Sequence, residues 1–105
     1  MEQPNLTYVE QLARGDENIR STLIDVIKTE FPEEKNEYYE SLVTKDYKKI
    51  EENVHKLKHK ISILGLEKSY ELANTYEHNL REKRMDGVDD FEEILNTITA
   101  YIKTI

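Results

Sequence analysis

The sequence predicts an all-α fold, an antiparallel up-down four-helix bundle with a short extra N-terminal helix. Three observations carry this. Apolar residues recur at helical spacing, as in Ile50, Val54, Leu57, Ile61 and Leu64, which trace one face of an amphipathic helix. Breakers are scarce, with three glycines and two prolines in 105 residues. The periodic segments are also joined by short connections, which force neighbouring helices to run antiparallel.

Asn5 or Thr7 opens a short first helix through Leu6, Val9 and Leu12, and Gly15 is well placed as its C-terminal stop. Asp16 is an N-cap for a long second helix over 17–43, with Ile19, Leu23, Val26 or Ile27, and Phe31 inward. Pro32 lacks the amide that would bond back one turn, so a kink is expected there before the pattern resumes with Tyr38, Tyr39, Leu42 and Val43. Thr44 or Asp46 caps a third helix over 46–64, and Gly65 ends it. The fourth helix, over 66–83, carries Leu66, Tyr70, Ala73, Tyr76 and Leu80 on one side. A loop around Met85, Asp86 and Gly87 follows. Asp89 or Asp90 then caps a fifth helix with Phe91, Ile94, Leu95, Ile98, Tyr101, Ile102 and Ile105 as its apolar stripe. The short first helix is expected to lie across one end of the other four. With no linker, low-complexity segment or repeat, residues 1–105 read as a single free-standing domain.

A chain of 105 residues buries roughly 60–70% of its unfolded surface on folding. Seven tyrosines against two phenylalanines point to aromatic surface at half-buried positions, with hydroxyls reaching water. The absence of cysteine rules out disulfides, thiolate metal ligands and a cysteine nucleophile. No stretch has the length and apolarity of a membrane span. The start, Met1-Glu2-Gln3-Pro4, lacks the basic-then-apolar layout of a signal peptide, so a cytoplasmic location without membrane association is expected. The net charge of −7 disfavours nucleic-acid binding. That charge is unevenly spread. Lys45, Lys48, Lys49, Lys56, Lys58 and Lys60 cluster in the third helix and its approach, whereas Glu30, Glu33, Glu34, Glu37 and Glu40 lie on the second. A basic patch around His55 is therefore expected on an otherwise acidic molecule.

His55, His59 and Ser62 follow the apolar spacing one position further round, which places them at the margin of the buried stripe. A solvent-facing imidazole on a rigid helix, ringed by lysines, suits a nucleophile that accepts and returns a phosphoryl group. Lys58 lies one helical turn beyond His55, within reach of phosphoryl oxygens bound there.

The run from His55 to Gly65 resembles the signature of histidine-containing phosphotransfer (HPt) domains, which reads His-x-Leu-Lys-Gly, then four variable residues, an aliphatic residue and Gly. His55 matches the phosphorylated histidine, Leu57 the aliphatic anchor and Lys58 the lysine, while Leu64 and Gly65 close the motif. His59 departs from it, because the family has Gly or another small residue there. The order and lengths of the helices extend the likeness more weakly over most of the chain. The resemblance implies a phosphocarrier that relays a phosphoryl group between receiver-domain aspartates in a multistep two-component phosphorelay. It implies as partners the receiver domains of response regulators and hybrid histidine kinases, with Mg2+ bound on the receiver. No cofactor or metal is expected on this chain. Nor is ATP-dependent kinase activity, since no Gly-rich nucleotide loop is present. A monomer is expected.

Three readings of His59 stand beside one another: a hydrogen-bond partner orienting His55 or its phosphate, a neutral surface substitution, or a steric filter on partner choice. The four-residue spacing of His55 and His59 would also suit a helical zinc site, with Glu51 or Glu52 as a third ligand. Ser62 reads as a small spacer and His78 as an exposed residue without a chemical role. The rival functional class is a helical adaptor that binds receivers or other signalling proteins without being phosphorylated.

Overall fold

Most helix boundaries have a local cause. The computed structural model describes residues 2–105, with Met1 outside the described residues. These residues form five helices and no strand: α1 (Thr7–Ala13), α2 (Glu17–Thr44), α3 (Tyr47–Ile63), α4 (Glu67–Arg81) and α5 (Val88–Ile102). Asp16 caps α2 by accepting from the amides of Asn18 at 2.9 Å and Ile19 at 3.2 Å. Asp46 does the same for α3 through the Lys49 amide at 3.3 Å. These bonds satisfy donors that the first helical turn leaves free. Asn5 Oδ1 accepts from the Thr7 amide at the start of α1.

The third helix ends in a Schellman turn. The Leu66 amide donates to the Ile61 carbonyl and the Gly65 amide to that of Ser62, with Gly65 in the left-handed region at φ +75°. The cap of α5 differs from the sequence reading. Asp89 and Asp90 lie inside the first turn of α5, where their charge favours the helix N-terminus, and Gly87 holds the cap position without a side-chain bond. Helix α4 has no cap of its own. Glu2 supplies one from the N-terminal segment, its Oε1 accepting from the Ser69 amide at 2.7 Å.

Helix α2 runs uninterrupted through Pro32. Contacts on both flanks hold it where local propensity favours a break. Toward α3, Glu30 and Glu34 meet Lys60, Glu37 meets Lys56, and Asn53 donates to the Glu37 carbonyl and to Ser41 Oγ. Toward α5, Lys28 reaches the Ile105 carbonyl, Lys35 reaches Thr99, and Tyr39 donates to Glu92. In both pairs the residue numbers rise on one helix as they fall on the other. Across α3 and α4 the same opposite sense links Glu51 to Arg81 and Lys58 to Glu77.

The core takes Ile27, Phe31 and Tyr38 from α2, Ile50, Val54, Leu57 and Ile61 from α3, Tyr76 and Leu80 from α4, and Phe91, Leu95 and Ile98 from α5. Two tyrosines depart from the half-buried expectation. Tyr38 and Tyr76 are sealed inside, their hydroxyls bonded to each other at 2.8 Å, and their rings enclose Phe91 edge-on or tilted. A buried hydroxyl is tolerated because it has this partner, and burial above all raises the pKa of both phenols. Of Val26 and Ile27 it is Ile27 that is buried, whereas Leu12 and Ile19 are exposed and Val43 is 82% exposed. Ser41, not Val43, occupies the inward position on that turn, buried with its hydroxyl on the Tyr38 carbonyl.

A side chain at Gly65 would have to displace that of Asn5. A Cβ there would lie 2.6–2.9 Å from the Asn5 side chain, on a backbone of positive φ. Gly65→Ala is expected to lower stability by about 1–2 kcal/mol, through left-handed strain and displacement of the Asn5 cap. Asp16→Ala is expected to lose about 1 kcal/mol. Thermal melts of both variants beside the wild type check these values.

Candidate functional site

The apolar stripe of α3 faces the core, so its neighbouring positions fall at the rim, and His55, His59 and Ser62 are all exposed. The His55 side chain is 59% accessible, and its Nδ1 lies 3.2 Å from Glu77 Oε1 on α4. Glu77 gathers two further groups. Lys58 Nζ donates to the same Oε1 at 3.2 Å, and Arg81 Nη2 donates to Oε2 at 2.8 Å. Arg81 also reaches Glu51 Oε2 through Nε at 3.2 Å. Glu77 and Lys58 are nearly closed to solvent, and the Lys58 ammonium sits 5.2 Å from the centre of the Tyr70 ring. The His59 ring stands edge-to-face against His55, with centroids 5.3 Å apart. Glu51, Glu52, His55, Lys56, Glu77 and Arg81 line a shallow depression of about 360 Å³ at this point.

Burial works to raise the Glu77 carboxyl. The Lys58 hydrogen bond and charge, followed by those of His55, outweigh it and hold the group below its ordinary value. An ionised carboxylate only accepts, so it fixes the imidazole with hydrogen on Nδ1. In the neutral ring Nε2 then keeps its lone pair, and it has no hydrogen-bond partner among the described residues. That is the arrangement of a nucleophile oriented by a third group.

The structure brings His55, Lys58 and His59 together as their spacing predicts, but three of the six lysines, Lys56, Lys58 and Lys60, are drawn into ion pairs. Lys58 is turned into the α3–α4 seam against Glu77, Lys60 is buried against Glu30 and Glu34, and Lys56 meets Glu37. Carboxylates from the neighbouring helices reach across to each of them. Lys56 and Lys60 lean toward α2, whereas His55 leans toward α4. The flank around the imidazole is therefore the one beside the fourth helix. His78 is exposed, as expected. Among the described residues no group of three or more His, Asp or Glu side chains could hold a metal ion, so Glu51 and Glu52 do not complete a zinc site with the two histidines.

Sequence reasoning missed Glu77 and Arg81. The signal for Glu77 is present: it sits four residues after Ala73 and three before Leu80, a carboxylate on the apolar face of α4. A charge on such a face needs a partner, and Lys58 is its counterpart on α3.

The chain is 28% identical over 98 residues to Phosphotransferase RcsD of Escherichia coli (strain K12), a match covering 87% of this chain and 10% of that protein. The chain thus spans about a tenth of the length of this relative. No protein-family model matches the chain, and no solved structure matches it. The distant similarity supports the likeness to the histidine phosphotransfer family that residues 55–65 carry. No helix of the described residues is long and apolar enough to cross a membrane.

Glu77→Gln leaves Lys58 buried opposite a neutral amide and is expected to lower stability at neutral pH by about 2–3 kcal/mol. The double variant with Lys58→Gln is expected to recover part of that loss. The pH dependence has a defined sign. A carboxyl depressed from 4.5 contributes in full above that value and loses its contribution as pH falls through its lower folded value. Urea unfolding of wild type and Glu77→Gln at neutral and strongly acid pH should therefore show their difference shrinking in acid.

Proposed function

We propose that this chain is a histidine phosphotransfer protein, relaying a phosphoryl group between receiver-domain aspartates through a phosphohistidine at His55. The observation that carries the reading is an exposed imidazole with Nδ1 anchored on a buried carboxylate and Nε2 unpartnered, inside the motif from His55 to Gly65. The similarity to a protein named as a phosphotransferase supports the same reading. In keeping with it, α2 to α5 are taken as an antiparallel up-down bundle with α1 as the extra helix, and residues 1–105 as one domain. The opposite senses of the α2–α3, α3–α4 and α2–α5 contacts support that arrangement.

The phosphoaspartate of one receiver presents phosphorus to Nε2. The Nε2 lone pair attacks in line, the bond from phosphorus to the aspartyl oxygen breaks, and its electron pair stays on that oxygen. A second receiver's aspartate later takes the group by the reverse step. Mg2+ and most of the charge stabilisation belong to the receiver in this scheme, as on the receivers of response regulators and hybrid kinases. The chain is then a phosphocarrier and not an ATP-dependent kinase, acting as a monomer in the cytoplasm. Lys58 assists the transferred group only in competition with Glu77, which holds its ammonium in the unphosphorylated protein. His59, ring to ring with His55, is the group placed to orient the phosphoryl oxygens.

Incubation with a phosphorylated receiver and Mg2+ is expected to yield acid-labile, base-stable phosphate on the wild type and none on His55→Gln. Binding without labelling would instead establish the unphosphorylated adaptor. His59→Gly is expected to slow transfer about tenfold, the worth of one hydrogen bond to a charged group. Unchanged rates toward every receiver tested would remove both the orienting and the steric role of His59.

A further inference from the structure

We infer that Glu77 sets how long a phosphoryl group stays on His55: its buried carboxylate keeps Nδ1 protonated after Nε2 is phosphorylated, which makes the phosphohistidine quick to unload. This rests on His55 being the phosphoryl acceptor. When the Nε2 lone pair takes phosphorus, the ring still carries its Nδ1 hydrogen and becomes cationic. Loss of that proton would turn the Nδ1 lone pair toward Glu77 Oε1, now 3.2 Å away, and set two acceptors against each other beside a nearly closed side chain. With the proton retained, the opposite charges attract. When an acceptor oxygen attacks phosphorus, the N–P electron pair returns to Nε2 and a neutral imidazole leaves. From a ring without the Nδ1 hydrogen the leaving group would be an anionic imidazolide, a far poorer one.

The other charges around the ring do not offset this. From α3 come Glu51, Glu52, Lys56, Lys58 and His59, and from α4 Glu77 and Arg81. Glu37 of α2 is engaged with Lys56. The positive charges of Lys58 and Arg81 are offset by the negative ones of Glu77 and Glu51, with which they form their bonds. The local sum is near neutral, so the nearest group decides, and the carboxylate is the one that touches an imidazole nitrogen. Glu77 is thus a positioning residue that acts through His55.

The test needs no partner. The full chain is loaded with phosphoramidate as a small-molecule donor, and loss of phosphohistidine to water is followed by 31P NMR from mildly acid to alkaline pH. His55→Gln serves as background for the other histidines. The wild type is expected to keep its fast, acid-side rate to higher pH than Glu77→Gln, whose phosphohistidine should live roughly tenfold longer on the alkaline side. Because Glu77→Gln also frees Lys58, which could itself hold the phosphate, the Glu77→Gln/Lys58→Gln double variant is measured as well; it also avoids leaving a buried lone charge. Retention of the long lifetime in the double variant supports the inference. Return to the wild-type lifetime there, or superimposable pH profiles of wild type and Glu77→Gln, overturns it. A wild type that takes no phosphate on His55 overturns the phosphotransfer reading and this inference together, whereas a labelled wild type with unchanged profiles sinks the inference alone.

Discussion

A single carboxylate in the seam between α3 and α4 organises the site. Glu77 accepts from Lys58, Arg81 and the His55 imidazole with its two oxygens, while its side chain is almost closed to water. Isolated burial of that charge would be strongly unfavourable, and it is tolerated because Lys58 and Arg81 compensate it. The same compensation fixes geometry. Lys58 and His55 approach one oxygen from α3, so the rotation of α3 against α4 cannot change without breaking both bonds. The histidine at the rim is thereby held by an interaction whose strength comes from the interior.

The electrostatic character of the rim follows from the same kind of pairing on the other flank. A lysine-rich helix beside an acidic one gives, in sequence, a positive patch next to a negative one. Folding brings the two helices side by side, and Lys56 and Lys60 meet Glu37, Glu30 and Glu34. Of these, the exposed Lys56–Glu37 pair contributes little to stability, about 0–1 kcal/mol, whereas Lys60 is buried against its two carboxylates. These pairs nevertheless cancel the long-range field that an unpaired patch would project.

Helix placement is readable from the sequence because it rests on local rules. Asp16 and Asp46 cap the helices that their positions predict, and Gly65 closes α3. The stripe on α3, from Ile50 to Leu64, is buried at every position. His55, Lys58 and His59 lie together because they share one helix. What the sequence does not give is set by the approach of a second element. Val43 satisfies the apolar pattern of α2 yet faces solvent, since Ser41 fills the inward position and binds Asn53 across the interface. Pro32 does not interrupt its helix because α3 and α5 grip it on either side. Glu77 is a residue of α4 whose role appears only when Lys58 and His55 of α3 face it.

The register between α3 and α4 therefore matters most, and the N-terminal segment takes part in setting it. The Asn5 amide donates to the Leu64 carbonyl, the Asn5 side chain occupies the space that a Cβ on Gly65 would need, and Glu2 caps α4 at Ser69. Burial raises the Glu2 carboxyl, but the Ser69 and Lys68 amides outweigh it and leave the group below its ordinary value, as expected of a carboxylate at a helix N-terminus. These contacts pin the turn from both sides, and the turn fixes how far along α3 the first residues of α4 begin. Glu77 lies about three turns into α4, at roughly 1.5 Å of rise per residue, so a slip of one residue at the turn would displace it by about half its present bond length to His55. The segment before α1 is remote from the imidazole in sequence. Through the turn it nonetheless bears on whether Nδ1 finds its carboxylate.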